Sequence, residues 1–239
     1  MSDAPGVTHR FDAVLFDLDH TLLDSDTSLS EAYVAATASV GLADPESLRA
    51  RFAEINDALW REVEQGRLCP DDVKTRRFEQ LLEVAEVVGD RTALASQMAE
   101  AFVVGLIEHG ELYDGALELL DAVSDRPTAL VTNGIGRVQR GRLERLGIGD
   151  AFDAVVISGE LDVAKPDPRI FDRALSSLGD PARSTTAMVG DNWGSDVVGA
   201  SAAGLQAVWF DRHGATPPDE PAGVVRCDTL AEVQRVLTR

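Results

Sequence analysis

The sequence predicts an α/β fold, a doubly wound and mostly parallel sheet with an all-helical subdomain inserted after the first strand. Three observations carry this. Short continuous apolar runs recur along the chain, as in strands buried on both faces of a parallel sheet. Amphipathic helical stretches separate most of them. The stretch from Thr27 to His109 breaks the alternation and shows only helical periodicity.

The first run, Ala13 to Phe16, ends at Asp17. Further strands are expected at Thr128–Val131, Ala154–Ile157, Thr186–Val189, Ala207–Phe210 and Val224–Val225. Helices are expected at Glu118–Val123 after Asp114-Gly115, at Val138–Leu146 before Gly147, and at Asp196–Ala203 before Gly204. Another runs from Pro168 to Leu178, with Asp167 as N-cap, proline in the first turn and Gly179 beyond its end. Inside the insert, Leu29, Tyr33, Ala36 and Val40 form one stripe, and Leu48, Phe52, Ile55, Leu59 and Val63 a second. Phe78, Leu81, Leu82 and Ala85 form a third, and Leu94, Met98, Phe102 and Leu106 a fourth. Breaks fall at Gly41–Pro45, Gly66–Pro70 and Gly89-Asp90. The expected division is therefore a catalytic core of residues 1–26 and 110–239, with residues 27–109 as a helical cap between the first and second core strands.

The chain has 239 residues, of which 44% are hydrophobic, enough for a domain with an inserted subdomain. It contains no apolar run of the roughly eighteen residues that a membrane span needs. Met1 to Arg10 has neither a basic start nor an apolar centre, so a short disordered leader is expected rather than a signal peptide. Cys69 and Cys227 lack any ligand spacing, so free thiols in a reducing cytoplasm are expected. The formal net charge of −19 opposes nucleic acid and anionic membranes as partners. Lys74 and Lys165 are the only lysines. A lysine-poor, acid-rich surface suits a halophilic source, and a GC-rich genome biases composition the same way; both readings stay open.

In open α/β sheets ligands bind beyond the carboxyl ends of the strands. Asp17-Leu18-Asp19-His20-Thr21 follows the first strand and Thr132-Asn133-Gly134 the second. Lys165-Pro166-Asp167 precedes the helix near Pro168, and Gly190-Asp191-Asn192-Trp193-Gly194-Ser195-Asp196 follows the Thr186 strand. Carboxylates gathered at one crevice repel by several kcal/mol unless a cation compensates. Hard oxygen donors, with no converging Cys/His set, select Mg²⁺. Singly, each element has a plain structural reading as a turn, an N-cap or a surface lysine. Together, in chain order at the ends of one sheet, they point to a phosphate site.

These residues resemble the signatures of the haloacid dehalogenase (HAD) superfamily of phosphohydrolases. Asp17, Asp19 and Thr21 match its Asp-x-Asp-x-Thr motif, Thr132 the Ser/Thr after an apolar strand, Lys165 the basic residue, and Gly190-Asp191 with Asp196 the last motif. The resemblance implies a Rossmann-like HAD core with the α-helical cap of the subgroup that acts on small molecules. It implies Mg²⁺-dependent hydrolysis of a small phosphate monoester. Asp17 would be the nucleophile, forming an aspartyl-phosphate, and Asp19 the general acid and then base. Mg²⁺ would be held by the Asp17 side chain, the Asp19 carbonyl and Asp191. Asp196 would be a water-mediated ligand or a partner that fixes Lys165. Thr132, the Asn133 backbone and Lys165 would hold the phosphoryl group.

Alternatives follow from the same residues. The superfamily's dehalogenases lack the second aspartate, so Asp19 favours phosphate; a phosphomutase would keep both. Phosphonate cleavage would need a cap lysine, and Lys74 reads better as a solvated surface residue. A phospho-receiver domain lacks both the helical insert and a late Gly-Asp. A non-catalytic metabolite-binding protein would be expected to have lost Asp17 or Asp19. His20 is a candidate for lining the pocket, and Trp193 for packing. Arg67, Arg76 and Arg77 are candidates for reading an anionic substrate tail, with a solvated helix face as the default for each. The partner expected is a small phosphorylated metabolite, and the protein a monomer or homodimer.

Overall fold

The computed structural model describes residues 11–216 and 223–239; the expected leader, Met1 to Arg10, lies outside the described residues. Among the described residues six strands form one parallel sheet: β1 (Ala13–Phe16), β2 (Thr128–Thr132), β3 (Ala154–Ile157), β4 (Thr186–Gly190), β5 (Gln206–Phe210) and β6 (Val225–Cys227), in spatial order β3-β2-β1-β4-β5-β6. The order reverses direction at β1, so the doubly wound reading stands. All four residues of β1 are buried, because side chains on both its faces meet helices. The last strand begins one residue later than expected and runs on to Cys227.

The insert contains α1 (Ser25–Ser39), α2 (Pro45–Glu64), α3 (Pro70–Val84) and α4 (Arg91–Glu108), with no strand between them. Prolines stand in the first turns of α2 and α3, where their missing N–H costs nothing. The helices enclose their own aromatic core: Phe52, Phe78 and Phe102 have ring centroids 5.2–5.7 Å apart. Glycine at 105 lets α4 lie against α1, since a Cβ there would stand 2.6 Å from Ala32 Cα. Ile135 and Val138, beyond β2, complete this core from the sheet side.

The remaining helices are α5 (Ala116–Ala122), α6 (Gly136–Leu146), α7 (Pro168–Ser177), α8 (Gly199–Ala202) and α9 (Leu230–Leu237). Helix α7 is capped as expected, with the Asp167 carboxylate accepting from the Arg169 N–H at 2.9 Å. The single helix expected at Asp196–Ala203 is instead a π-helical turn, Trp193–Val198, running into the short α8. The widened turn closes with Val197 N–H on the Asn192 carbonyl. Helix α9 was not expected from apolar periodicity. Its N-cap Thr229 accepts through its hydroxyl from Glu232 N–H at 3.2 Å, and the Glu232 carboxylate accepts from the N–H of the preceding Asp228 at 3.0 Å, a start legible in Thr229-x-x-Glu232. Among the described residues no helix is long and apolar enough to cross a membrane. Both cysteines are free, Cys69 exposed and Cys227 buried.

Candidate active site

The sheet delivers its polar residues to one edge. Asp17 leaves β1 with its N–H on the Val189 carbonyl, 2.9 Å away, which holds the chain beside the end of β4. The following loop turns sharply. His20 takes the left-handed φ of 60°, and Leu22 and Leu23 N–H both return to the Leu18 carbonyl. Leu18, Leu22 and Leu23 are fully buried and anchor this turn.

Lys165 is the hub. Its ammonium donates to Asp17 Oδ1 and to Asp196 Oδ1, each at 2.6 Å, and it is 1% exposed. The Asn133 side chain holds the Lys165 backbone from both directions, donating to its carbonyl and accepting from its N–H at 2.8 Å. The Lys165–Pro166 peptide bond is cis. Thr21 links the two ends of the cluster, its hydroxyl donating at 3.2 Å to Asp17 and lying 3.3 Å from Asp191, while accepting from the Asp191 N–H. Asp196 Oδ2 accepts from Asn192 N–H at 3.0 Å, and Gly190 leaves it room: a Cβ there would lie 2.3 Å from the Asp196 carboxyl carbon.

Asp17, Asp191 and Asp196 offer oxygens that all lie within 4.8 Å of one another. Burial, opposed by Lys165 and reinforced by Asp196 and Asp19, pushes Asp17 up to about 7. Burial and the neighbouring Asp17 and Asp196 push Asp191 up to about 8. Three crowded carboxylates against one lysine therefore leave uncompensated negative charge. An all-oxygen donor set of this kind fits a hard divalent cation.

Asp19 points elsewhere. Its carboxylate accepts from Arg142 and from the Ser25 hydroxyl at 2.6 Å, and from Gln139 Nε2 at 2.7 Å. Burial alone would raise it, but Arg142, Ser25 and Gln139 together hold it below the ordinary carboxylate range. Gln139 also reaches Thr132 Oγ1 at 2.8 Å, so Thr132 and Asp19 share one amide. Arg142 continues outward to the Leu106 carbonyl and the Ser28 hydroxyl, both at 2.8 Å. Gln139 and Arg142 escaped the sequence reading. Their signal was a pair of polar residues three apart on a helix entering directly behind Thr132-Asn133.

A cavity of about 230 Å³ opens over the cluster, walled by the strand ends below and by α1 to α4 above. His20 lines it. Trp193 packs edge-on against Trp209 at 4.7 Å. Lys74 lies away from this cavity, beside Arg137 and Glu160. Arg76 is exposed, and Arg67 is exposed and paired with Glu62. Arg77 departs from the solvated-face default: it is 1% exposed and lines the cavity, because α3 turns this face toward α2 and α4.

Comparison with known proteins places the chain in a family. The family model of haloacid dehalogenase-like hydrolases matches residues 11–204. The chain belongs to that family. This HAD-like hydrolase is 33% identical to the pyrimidine 5'-nucleotidase YjjG of Escherichia coli over 96% of its own length and 99% of the relative's. It is 32% identical to the ribulose-1,5-bisphosphate 5-phosphatase of Halopiger xanaduensis, over 92% and 97% of the two chains. Among solved structures, the HAD-hydrolase YfnB of Bacillus subtilis, bound to magnesium, superposes with a TM-score of 0.82 at 25% identity, covering 95% of this chain and 99% of that one.

Proposed function

We propose that this HAD-like hydrolase cleaves small phosphate monoesters with Mg²⁺ through an aspartyl-phosphate at Asp17. The observation that carries the reading is the Asp17–Lys165–Asp196 hub, 2.6 Å on each side, set beside Asp191 and two residues before Asp19. Two relatives named above are phosphate-ester hydrolases, which supports the reaction class and leaves the leaving group open.

In this reading a carboxylate oxygen of Asp17 attacks phosphorus as the bond to the leaving oxygen breaks, and Asp19 delivers a proton to that oxygen. Asp19 then takes a proton from water, the water oxygen bonds to phosphorus, and the Asp17–phosphorus bond breaks to release inorganic phosphate. Lys165 and Thr132 neutralise and orient the phosphoryl oxygens, and the Asn133 side chain keeps Lys165 in place. The Asp17 and Asp191 carboxylates and the Asp19 carbonyl would hold Mg²⁺, with Asp196 fixing Lys165. The ion supplies positive charge against the transferring phosphoryl group. Arg142 keeps Asp19 ionised, the form that the water step requires. Residues 27–109 act as the cap that covers the site and residues 1–26 and 110–239 as the core. The protein works on a small metabolite in the cytoplasm, as a monomer or homodimer.

Asp19 favours this reading over halide displacement, because an alkoxide leaving group needs a proton and a halide does not. The test is phosphate release from phenyl phosphate with Mg²⁺. Activity is expected to fall at least about 10³-fold in Asp17→Asn and to vanish with EDTA. Full activity of Asp17→Asn would remove Asp17 as nucleophile.

A further inference from the structure

The cavity over Asp17 is also lined by two buried polar side chains of the helical insert, Arg77 and Asn56. Arg77, on α3, donates from Nε to the Val73 carbonyl and from Nη1 to Asn56 Oδ1, both at 2.9 Å. Its Nη2 is buried and has no hydrogen-bond partner. Its guanidinium lies 4.8 Å over the Phe102 ring, and no carboxylate pairs with it among the described residues. Burial alone accounts for its displacement, down to about 9.

A buried arginine that only braced helices would be expected to have its donors used. Arg142, equally deep, shows this: Nε, Nη1 and Nη2 all have partners, one of them the Asp19 carboxylate. Arg77 has an uncompensated charge and an unused donor in a residue that lines the catalytic cavity. Leaving such a group unpaired is costly. Asn56, also buried and lining the cavity, spends its oxygen on Arg77, which leaves its Nδ2 as a second donor beside the first. Trp60, Leu29 and Leu106 line the same space and offer apolar surface for the rest of a leaving group. The volume of about 230 Å³ suits a small metabolite.

We infer that Arg77 and Asn56 form the subsite that reads the leaving group, by donating to an acceptor oxygen at its far end. The substrate is then a phosphomonoester whose leaving group carries a carboxylate, a second phosphate or a nucleobase carbonyl, in preference to one that ends in hydroxyls. The inference rests on the phosphohydrolase reading for its orientation, with the phosphoryl group at Asp17.

Matched substrates test it. 3-Phosphoglycerate and glycerol 3-phosphate differ by a carboxylate against a hydroxymethyl group. Ribulose 1,5-bisphosphate against ribulose 5-phosphate tests a second phosphate, and uridine 5'-monophosphate against ribose 5-phosphate tests a base carbonyl. The wild type should favour the acceptor-bearing member of at least one pair by about 10- to 100-fold in kcat/KM. Arg77→Met should abolish that preference, with a loss on the acceptor-bearing substrate at least about fivefold larger than the loss on phenyl phosphate. Equal rates within every pair, or an Arg77→Met loss shared equally by phenyl phosphate, would overturn the subsite. If Arg77→Met does not fold, the wild-type preferences together with inhibition by glycerate against glycerol, and by uridine against ribose, decide it. If the wild type releases no phosphate from any ester, the hydrolase reading itself fails. Calorimetric binding of the same glycerate/glycerol and uridine/ribose pairs then judges the subsite alone: selective binding of the acceptor-bearing member upholds it, and none removes it.

Discussion

Asp19 stands between two demands. The proposed leaving-group step needs it to carry a proton, while Arg142, Ser25 and Gln139 stabilise its ionised form. In the proposed mechanism Arg142 would therefore shape the pH dependence, although it lies outside the signature residues. Arg142→Met removes the nearest cation, so the Asp19 carboxyl rises. The base form is then lost at a higher pH, and the acidic limb of the kcat profile is expected to move upward in pH. The rate should drop by roughly 10-fold or more, and more for alkyl than for aryl esters, because poor leaving groups depend on proton delivery. An unmoved profile would detach Arg142 from the chemistry. Asp17, Asp19, Thr132, Lys165, Asp191 and Asp196 could be picked from the sequence because each follows or precedes a recognisable element. Arg77 is legible only as one of three candidate arginines with a solvated face as its default, and Gln139 and Arg142 are not singled out, since a polar residue on a helix has the same appearance whether it faces water or a cavity.

Among the elements, most boundaries followed from caps and apolar runs, and the exceptions have local causes. The turn after β4 was expected to enter a helix at Asp196. It widens instead, because Asn192 caps Ser195 N–H at 2.9 Å while Asp196 is drawn back to Lys165. A hydrogen bond to a residue 31 positions away leaves no periodic trace. The contact of α1 with α4 is a second case. Gly105 reads as a weak point in a helix, and alanine would normally strengthen it by about 1 kcal/mol. Here an alanine Cβ would meet Ala32 backbone at 2.6 Å. Overpacking of about 1–3 kcal/mol should exceed the propensity gain. Gly105→Ala is expected to lower Tm by about 2–6 °C. A raised Tm would show that α1 and α4 separate freely.

At the scale of the molecule, the buried carboxylates couple protonation to stability. Asp17 and Asp191, with ordinary values of 3.8, lie near 7 and 8 in the fold. Their folded values are raised, so between about pH 4 and pH 8 the folded chain holds protons that the unfolded chain has released. Stability from this source is complete below the unfolded value and is lost as pH rises through the folded ones. In the proposed reading, Mg²⁺ would take the place of those protons. Its stabilisation is therefore expected to grow from pH 5 to pH 8, measured as the difference in Tm with and without the ion. A larger Mg²⁺ effect at pH 5 than at pH 8 would contradict the carboxylate cluster as its binding site.

The sequence by itself determined the alternation of strands and helices, the helical insert after the first strand, and the order of the signature residues. All of these depend on local periodicity, caps and the position of a residue relative to a strand end. Only the tertiary structure decided where the insert's side chains point. It placed Arg77 inside the cavity, joined Asp19 to Arg142, and tied Asp196 to Lys165. These depend on helices packing across long separations in sequence, where the burial of a charged group is set by its neighbours in space and not by its own residue type.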